Sequence, residues 1–254
     1  MTSAMSSTGQ VSRPSTASGP REFPPTRWTV VLASGQSNST HARQALEALC
    51  QTYWAPTYAF LRRKGHSRED AQDLTQGFFL HLLEKSALGK VNPSKGRFRS
   101  FLLVSVKNFL ANEWDKANAR KRGGGQVFVP FDTQLAEAGV GLPAAAQDTA
   151  EKAFERRWAL TVLDVVLARL RAEHVRSGKT ALFEALKSAL SGEGRSVPYA
   201  EVAARLGLSE GSLRVAVHRL RQRYRELLRE EIGHTVSTPA EIDDEIRALF
   251  AALE

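Results

Sequence analysis

From Thr40 onward, apolar residues return every third or fourth position in one segment after another, with no sustained alternation at every second. That is the period of a helix with one buried stripe. A chain built of such stripes buries them by packing helix on helix, so the expected fold class is all-α. Leu46, Leu49, Cys50, Tyr53 and Trp54 share the first face. The block DAQDLTQGFFLHLLEK sets Leu74, Phe78, Phe79, Leu82 and Leu83 on the second. Ser67 stands at its N-cap position with Asp70 three residues on, close to a capping box. The third block, FRSFLLVSVKNFLANEWDKANARKR, is read with Phe101, Val104, Phe109 and Leu110 inward, and RGGGQ ends it.

The pattern then lapses. Residues 123–150 lack sustained periodicity and read as a flexible linker; Pro130 argues against QVFVPF as a sheet strand. The helical pattern resumes at Glu151. The expectation is therefore two helical domains, 26–122 and 151–235, joined by that linker. Residues 1–25, rich in Ser, Thr, Pro and Gly, read as a disordered tail. The tail has no apolar core of the kind a secretory signal needs. No apolar run is long enough to span a membrane. The single cysteine, Cys50, excludes an intrachain disulfide and suits a reducing cytosol. Residues 236–254 form an amphipathic extension in which Ile242, Ile246, Leu249 and Phe250 need a surface to cover.

Charge is concentrated. The chain carries a net +8, which favours a polyanionic partner. Residues 90–122 hold nine cations, Lys90, Lys95, Arg97, Arg99, Lys107, Lys116, Arg120, Lys121 and Arg122, against two acids, Glu113 and Asp115: a local +7. Asn108, Asn112 and Trp114 stand among them. Cations for phosphates, with amides and aromatics for unstacked bases, is the chemistry of single-strand binding. The preceding helix differs: Glu69, Asp70, Asp73, Gln76 and Glu84 give it an acidic, amide-bearing face that suits a protein partner.

The stretch YAEVAARLGLSEGSLRVAVHRL carries a helix-turn-helix pattern. Ala203 is the small contact, Gly207 the turn, and Val202, Leu206, Leu208, Leu213 and Val217 tie the pair together. Ser209 caps the second helix. With Leu213, Val217 and Leu220 inward, Ser212, Arg214, Val215, His218 and Arg219 face outward, a composition suited to the major groove. Arg221, Arg223, Arg225 and Arg229 continue the cations along the same helix.

Together, SREDAQDLTQGFFLHLLEK, NPSKGRFRSFLLVSVKNFLANEWDKANARKR and VPYAEVAARLGLSEGSLRVAVHRLRQRYRELL resemble, in this order, the extracytoplasmic-function (ECF) group of bacterial RNA polymerase sigma factors. The first two resemble region 2, the last region 4. The resemblance implies that Asp70, Asp73, Leu74, Gln76 and Phe79 dock on the clamp helices of the largest polymerase subunit. It implies that Lys95, Arg97, Arg99, Lys107, Asn108, Asn112, Lys116 and Arg120 open and hold the −10 promoter element. Arg214, Val215 and Arg219 would approach −35 bases, with Ser212, His218, Arg221 and Arg223 beside them on the DNA. The implied partners are core RNA polymerase, its flap region included, and promoter DNA; an anti-sigma protein is a further partner the family admits. The linker would thread the RNA exit region. The chain departs from the family in three places: HVRSGKTALFEALKSALSGEG is longer than the usual entry to region 4, the residues after Gly233 are an extension, and FPPTRWTVVLASG matches nothing in the pattern.

Catalysis is not expected. SGKT at Ser177–Thr180 lacks the phosphate loop's first glycine, since Glu173 occupies that place, and no strand pattern precedes it. The histidines lack metal-ligand spacing, and neither metal nor cofactor is expected. The rival reading is a stand-alone helix-turn-helix regulator binding duplex DNA as a dimer.

Overall fold

The computed structural model describes residues 40–84, 97–119, 149–190 and 199–254, and among them it is helical without a strand. The expected N-terminal tail, the FPPTRWTVVLASG stretch, residues 85–96 and nearly all of the expected linker lie outside the described residues.

Helix α1 (Thr40–Arg63) and α2 (Arg68–Glu84) form an antiparallel pair around a tight stop. Gly65, at φ 93°, closes it: the Gly65 N–H donates to the Arg62 carbonyl and the His66 N–H to the Leu61 carbonyl, at 3.1 and 3.3 Å. Only a residue without Cβ takes that conformation freely. Ser67 then caps α2, its Oγ accepting from the Asp70 N–H at 3.0 Å and donating to the Asp70 carboxylate at 2.8 Å. Helix α3 (Phe98–Ala119) crosses close to α2, where a Cβ on Gly77 would sit 3.4 Å from the Phe109 ring. Its buried stripe is Phe98, Leu102, Val106 and Phe109; Val104, expected inward, is exposed. Aromatic edges lock this end of the core: Tyr53 against Phe98, Phe78 against Phe79 and Phe109, and Trp54 stacked on Phe79.

Helix α4 (Ala150–Arg176) is capped by Thr149 and is the spine of the molecule. Phe154, Trp158, Val162, Val166 and Leu170, one every fourth position, are all fully buried. The stripe packs along α1 and also against α7 (Glu210–Gly233). The helices on either side of the expected linker therefore share one continuous core, from Leu49 to Leu249.

The SGKT stretch is the stop of α4. Gly178 sits at φ 69°, and the Lys179 N–H donates to the His174 carbonyl at 2.8 Å. A short helix, α5 (Thr180–Leu186), follows with a 3₁₀ turn, Lys187–Ala189. Then come α6 (Tyr199–Leu206), α7 and, after a second 3₁₀ turn at Pro239–Glu241, α8 (Ile242–Ala251). The extension covers the protein's own surface: α8 packs on α4 and α7, with Ile242 and Leu249 buried and Phe250 left exposed. Among the described residues no helix is long and apolar enough to cross a membrane.

Candidate nucleic-acid interface

Helices α6 and α7 follow one another across a three-residue turn. Gly207, at φ 65°, turns the chain, with the Leu208 N–H donating to the Ala203 carbonyl at 3.0 Å. Ser209 caps α7 by accepting from the Ser212 N–H at 3.1 Å. Val202, Ala203, Leu213, Val217 and Leu220 are buried between the helices and against the core. That fixes the opposite face, and Ser212, Arg214, Val215, His218 and Arg219 are exposed on it. Arg214 lies over the Tyr199 ring at 5.7 Å and is 3.7 Å from Glu210. Both contacts are solvent-facing, so the guanidinium is steered but not sequestered.

Further along α7, Arg221, Arg223 and Arg229 are engaged within the fold. Arg221 donates to the Ala189 carbonyl at 3.0 Å. Arg223 forks onto Glu173 of α4 at 2.8 and 2.9 Å and also reaches Glu226 and Glu230. Its hydrogen bonds to Glu173 and then Glu226 hold the Arg223 guanidinium above its ordinary pKa. The same bond holds the Glu173 carboxyl below its own. The structure thus departs from the expectation that Arg223 stands with the outward set: three glutamates, one of them fifty residues away in sequence, engage all three of its nitrogens.

On α3, Lys107, Asn108, Asn112 and Trp114 are exposed, the indole at 68%. An indole so displayed has the chemistry to stack on an unpaired base. Lys107 pairs with Glu151 at 2.7 Å, and the hydrogen bond from Lys107 lowers the Glu151 pKa. Lys95 and Arg120 lie outside the described residues, and the Lys116 side chain does too.

Arg97 and Arg99 depart from the expected open −10 surface. Arg99 is only 7% exposed. Its Nε donates to Glu245 Oε1 at 2.7 Å, its Nη1 pairs with Glu155, and its guanidinium lies 4.6 Å from the Trp158 ring centre. Arg97 Nε is 2.9 Å from the other Glu245 oxygen. Glu245 belongs to α8 and is wholly buried. Nothing in the local period of α3 announces a partner so distant in sequence.

On α2, Asp70 and Asp73 are exposed, and Leu74 and Gln76 half-buried. Phe79 is 8% exposed and stacked on Trp54, so it supports this face from within. Leu80 of α2 is a large apolar residue left exposed beside them.

Among the described residues no cluster of His, Cys, Asp or Glu could hold a metal ion. Residues 49–120 match the family model of sigma-70 region 2, a span of less than a third of the chain. No curated protein and no solved structure matches it. Over the greater part of α1, and over α2 and α3, the chain is thus similar to region 2 of the sigma-70 factors, which supports a sigma-70 family factor.

Proposed function

We propose that the protein is an ECF-type sigma factor that binds core RNA polymerase and reads and opens promoters at −35 and −10. The observation that carries this is the pairing of two exposed faces. One is the α3 face of Lys107, Asn108, Asn112 and Trp114, within the segment similar to sigma-70 region 2. The other is the α7 face of Ser212, Arg214, Val215, His218 and Arg219 behind a helix-turn-helix.

The division of labour is physical. A major-groove arginine paired with guanine contributes about 1–3 kcal/mol of discrimination. Holding an unstacked base costs a few kcal/mol, which stacking on Trp114 and hydrogen bonds from Asn108 and Asn112 would offset. Polymerase, docked on the acidic α2 face of Asp70 and Asp73, makes both contacts intramolecular and supplies the remaining affinity.

Run-off transcription with core polymerase on a genomic fragment library tests the proposal. Arg219→Ala should flatten −35 preference, and Asn108→Ala or Trp114→Ala should slow opening while leaving −35 protection in place. Full transcription from all three variants would refute the assignment. Failure to co-purify with core polymerase, together with dimeric binding to duplex DNA, would establish a stand-alone regulator instead.

A further inference from the structure

We infer that α8 is an intramolecular latch, whose Glu245 masks Arg97 and Arg99 from nucleic acid until it is displaced. The inference rests on the proposed function in taking these arginines as part of the α3 nucleic-acid surface.

Four observations carry it. Arg97 and Arg99 flank Phe98, where α3 begins, and the first turn holds no acid. A helix N-terminus is the positive end of the peptide dipoles, so cations there work against the helix. Their presence calls for a purpose other than helix stability. Next, Glu245 is wholly buried and faces both guanidiniums, at 2.9 Å to Arg97 Nε and 2.7 Å to Arg99 Nε. The groups around that carboxylate are Arg97, Arg99, Glu155 of α4, and the Tyr53 hydroxyl, whose pKa burial and then Glu245 hold above its ordinary value.

Third, a buried ion pair is a poor device for stability alone, since apolar residues of similar size usually serve as well; its best-attested use is as a register or switch element. Here it joins the start of α3 to the last helix of the chain. Fourth, the apolar hold on α8 is modest. Ile242 and Leu249 are its buried apolar anchors, Ile246 is half-buried and Phe250 exposed. A phosphate backbone offers the two arginines the same charge-assisted hydrogen bonds that Glu245 gives them. Strand and carboxylate therefore compete, and whatever displaces α8 adds two cations to the surface carrying Asn108, Asn112 and Trp114.

The test uses the full chain with Glu245→Gln, which keeps the shape and removes the charge. Binding of a fluorescent oligothymidine should tighten about tenfold, within the usual range of a coupling between sites. The slope of log K against log salt should steepen by about 1.4, the counterion release of two further phosphate contacts on a single strand. Adding Arg97→Gln and Arg99→Gln to Glu245→Gln should abolish both gains. In the wild-type chain, oligothymidine should speed amide exchange in residues 242–251 while protecting α3. A Glu245→Gln variant that loses thermal stability with affinity and salt slope unchanged overturns the latch and makes the two arginines scaffold. Transcription separates the readings. Tightened binding without transcription on core polymerase leaves the latch standing and removes the sigma-factor proposal. Transcription with no change in binding or exchange does the reverse.

Discussion

At the scale of single residues, what decides a side chain's use is whether its partners are near in sequence. The outward set on α7 was legible because Leu213, Val217 and Leu220 fix the helix's rotation locally. Arg223 and Arg99 were not, because Glu173 and Glu245 reach them from remote elements. The distinction predicts how arginine variants behave. Arg214 has only solvent-facing contacts, so Arg214→Ala should shift stability by less than about 0.5 kcal/mol in urea unfolding while reducing −35 discrimination by about 1–3 kcal/mol in competition footprinting. A large loss of stability would show that Arg214 is a packing residue. Cys50 makes a second case. Burial, with Glu47 adding to it, pushes its thiol up to about 11 from 9.0. At pH 8 the thiolate fraction then falls about a hundredfold, and native-state alkylation should be slower than in urea by about that factor. Equal rates would mean that the α1 face around Cys50 opens readily.

At the scale of elements, Gly207 was legible in the sequence as a turn, whereas the helix stops at Gly65 and Gly178 are seen only in the structure. Gly207 has nothing within 4 Å of where a Cβ would stand, so Gly207→Ala should cost only the backbone penalty of φ 65°, about 1–2 kcal/mol. Gly178→Ala should cost the same, for the same reason. Urea midpoints measure both, and an unchanged midpoint would mean that these turns relax to another conformation. Gly178 also explains SGKT: the sequence that hints at a phosphate loop is a helix stop. The face of α3 was harder to read. Phe101 to Val104 is an unbroken apolar run, and over so short a span the period cannot choose between the stripe through Val104 and the one through Leu102 and Val106.

At the scale of the whole molecule, the all-α class was legible from periodicity, but the association of the two helical groups was not. A stripe records that a face is buried and carries no address for what covers it. The α4 stripe through Trp158 and Val162 reads the same whether it faces α1, α7 or both. The seams between elements are closed by ion pairs at their margins, and these make the assembly pH-dependent. Glu173, bonded to Arg223, joins α4 to α7; Glu151, bonded to Lys107, joins α4 to α3; Asp243, bonded to Arg229, joins α8 to α7. In each the hydrogen bond from the cation is the main cause that lowers the carboxyl pKa, from 4.5 for the glutamates and 3.8 for the aspartate. A carboxyl whose folded pKa lies below its unfolded one adds stability that is fully present above the unfolded value. That stability is lost as pH falls through the folded one. Asp164 acts in the opposite sense, since burial raises its pKa, but it stands against these three and Glu184, whose carboxyl pKa is held down by hydrogen bonds from Lys187 and Arg171. The melting temperature should therefore hold from pH 7 to about 5 and fall as pH drops below about 4.5. Arg223→Gln should lower the neutral-pH value and shallow the acid-side fall, because Glu173 would lose the main cause that holds its carboxyl pKa down. Equal acid-side slopes in the two proteins would show that the Glu173–Arg223 pair adds nothing to stability on the acid side.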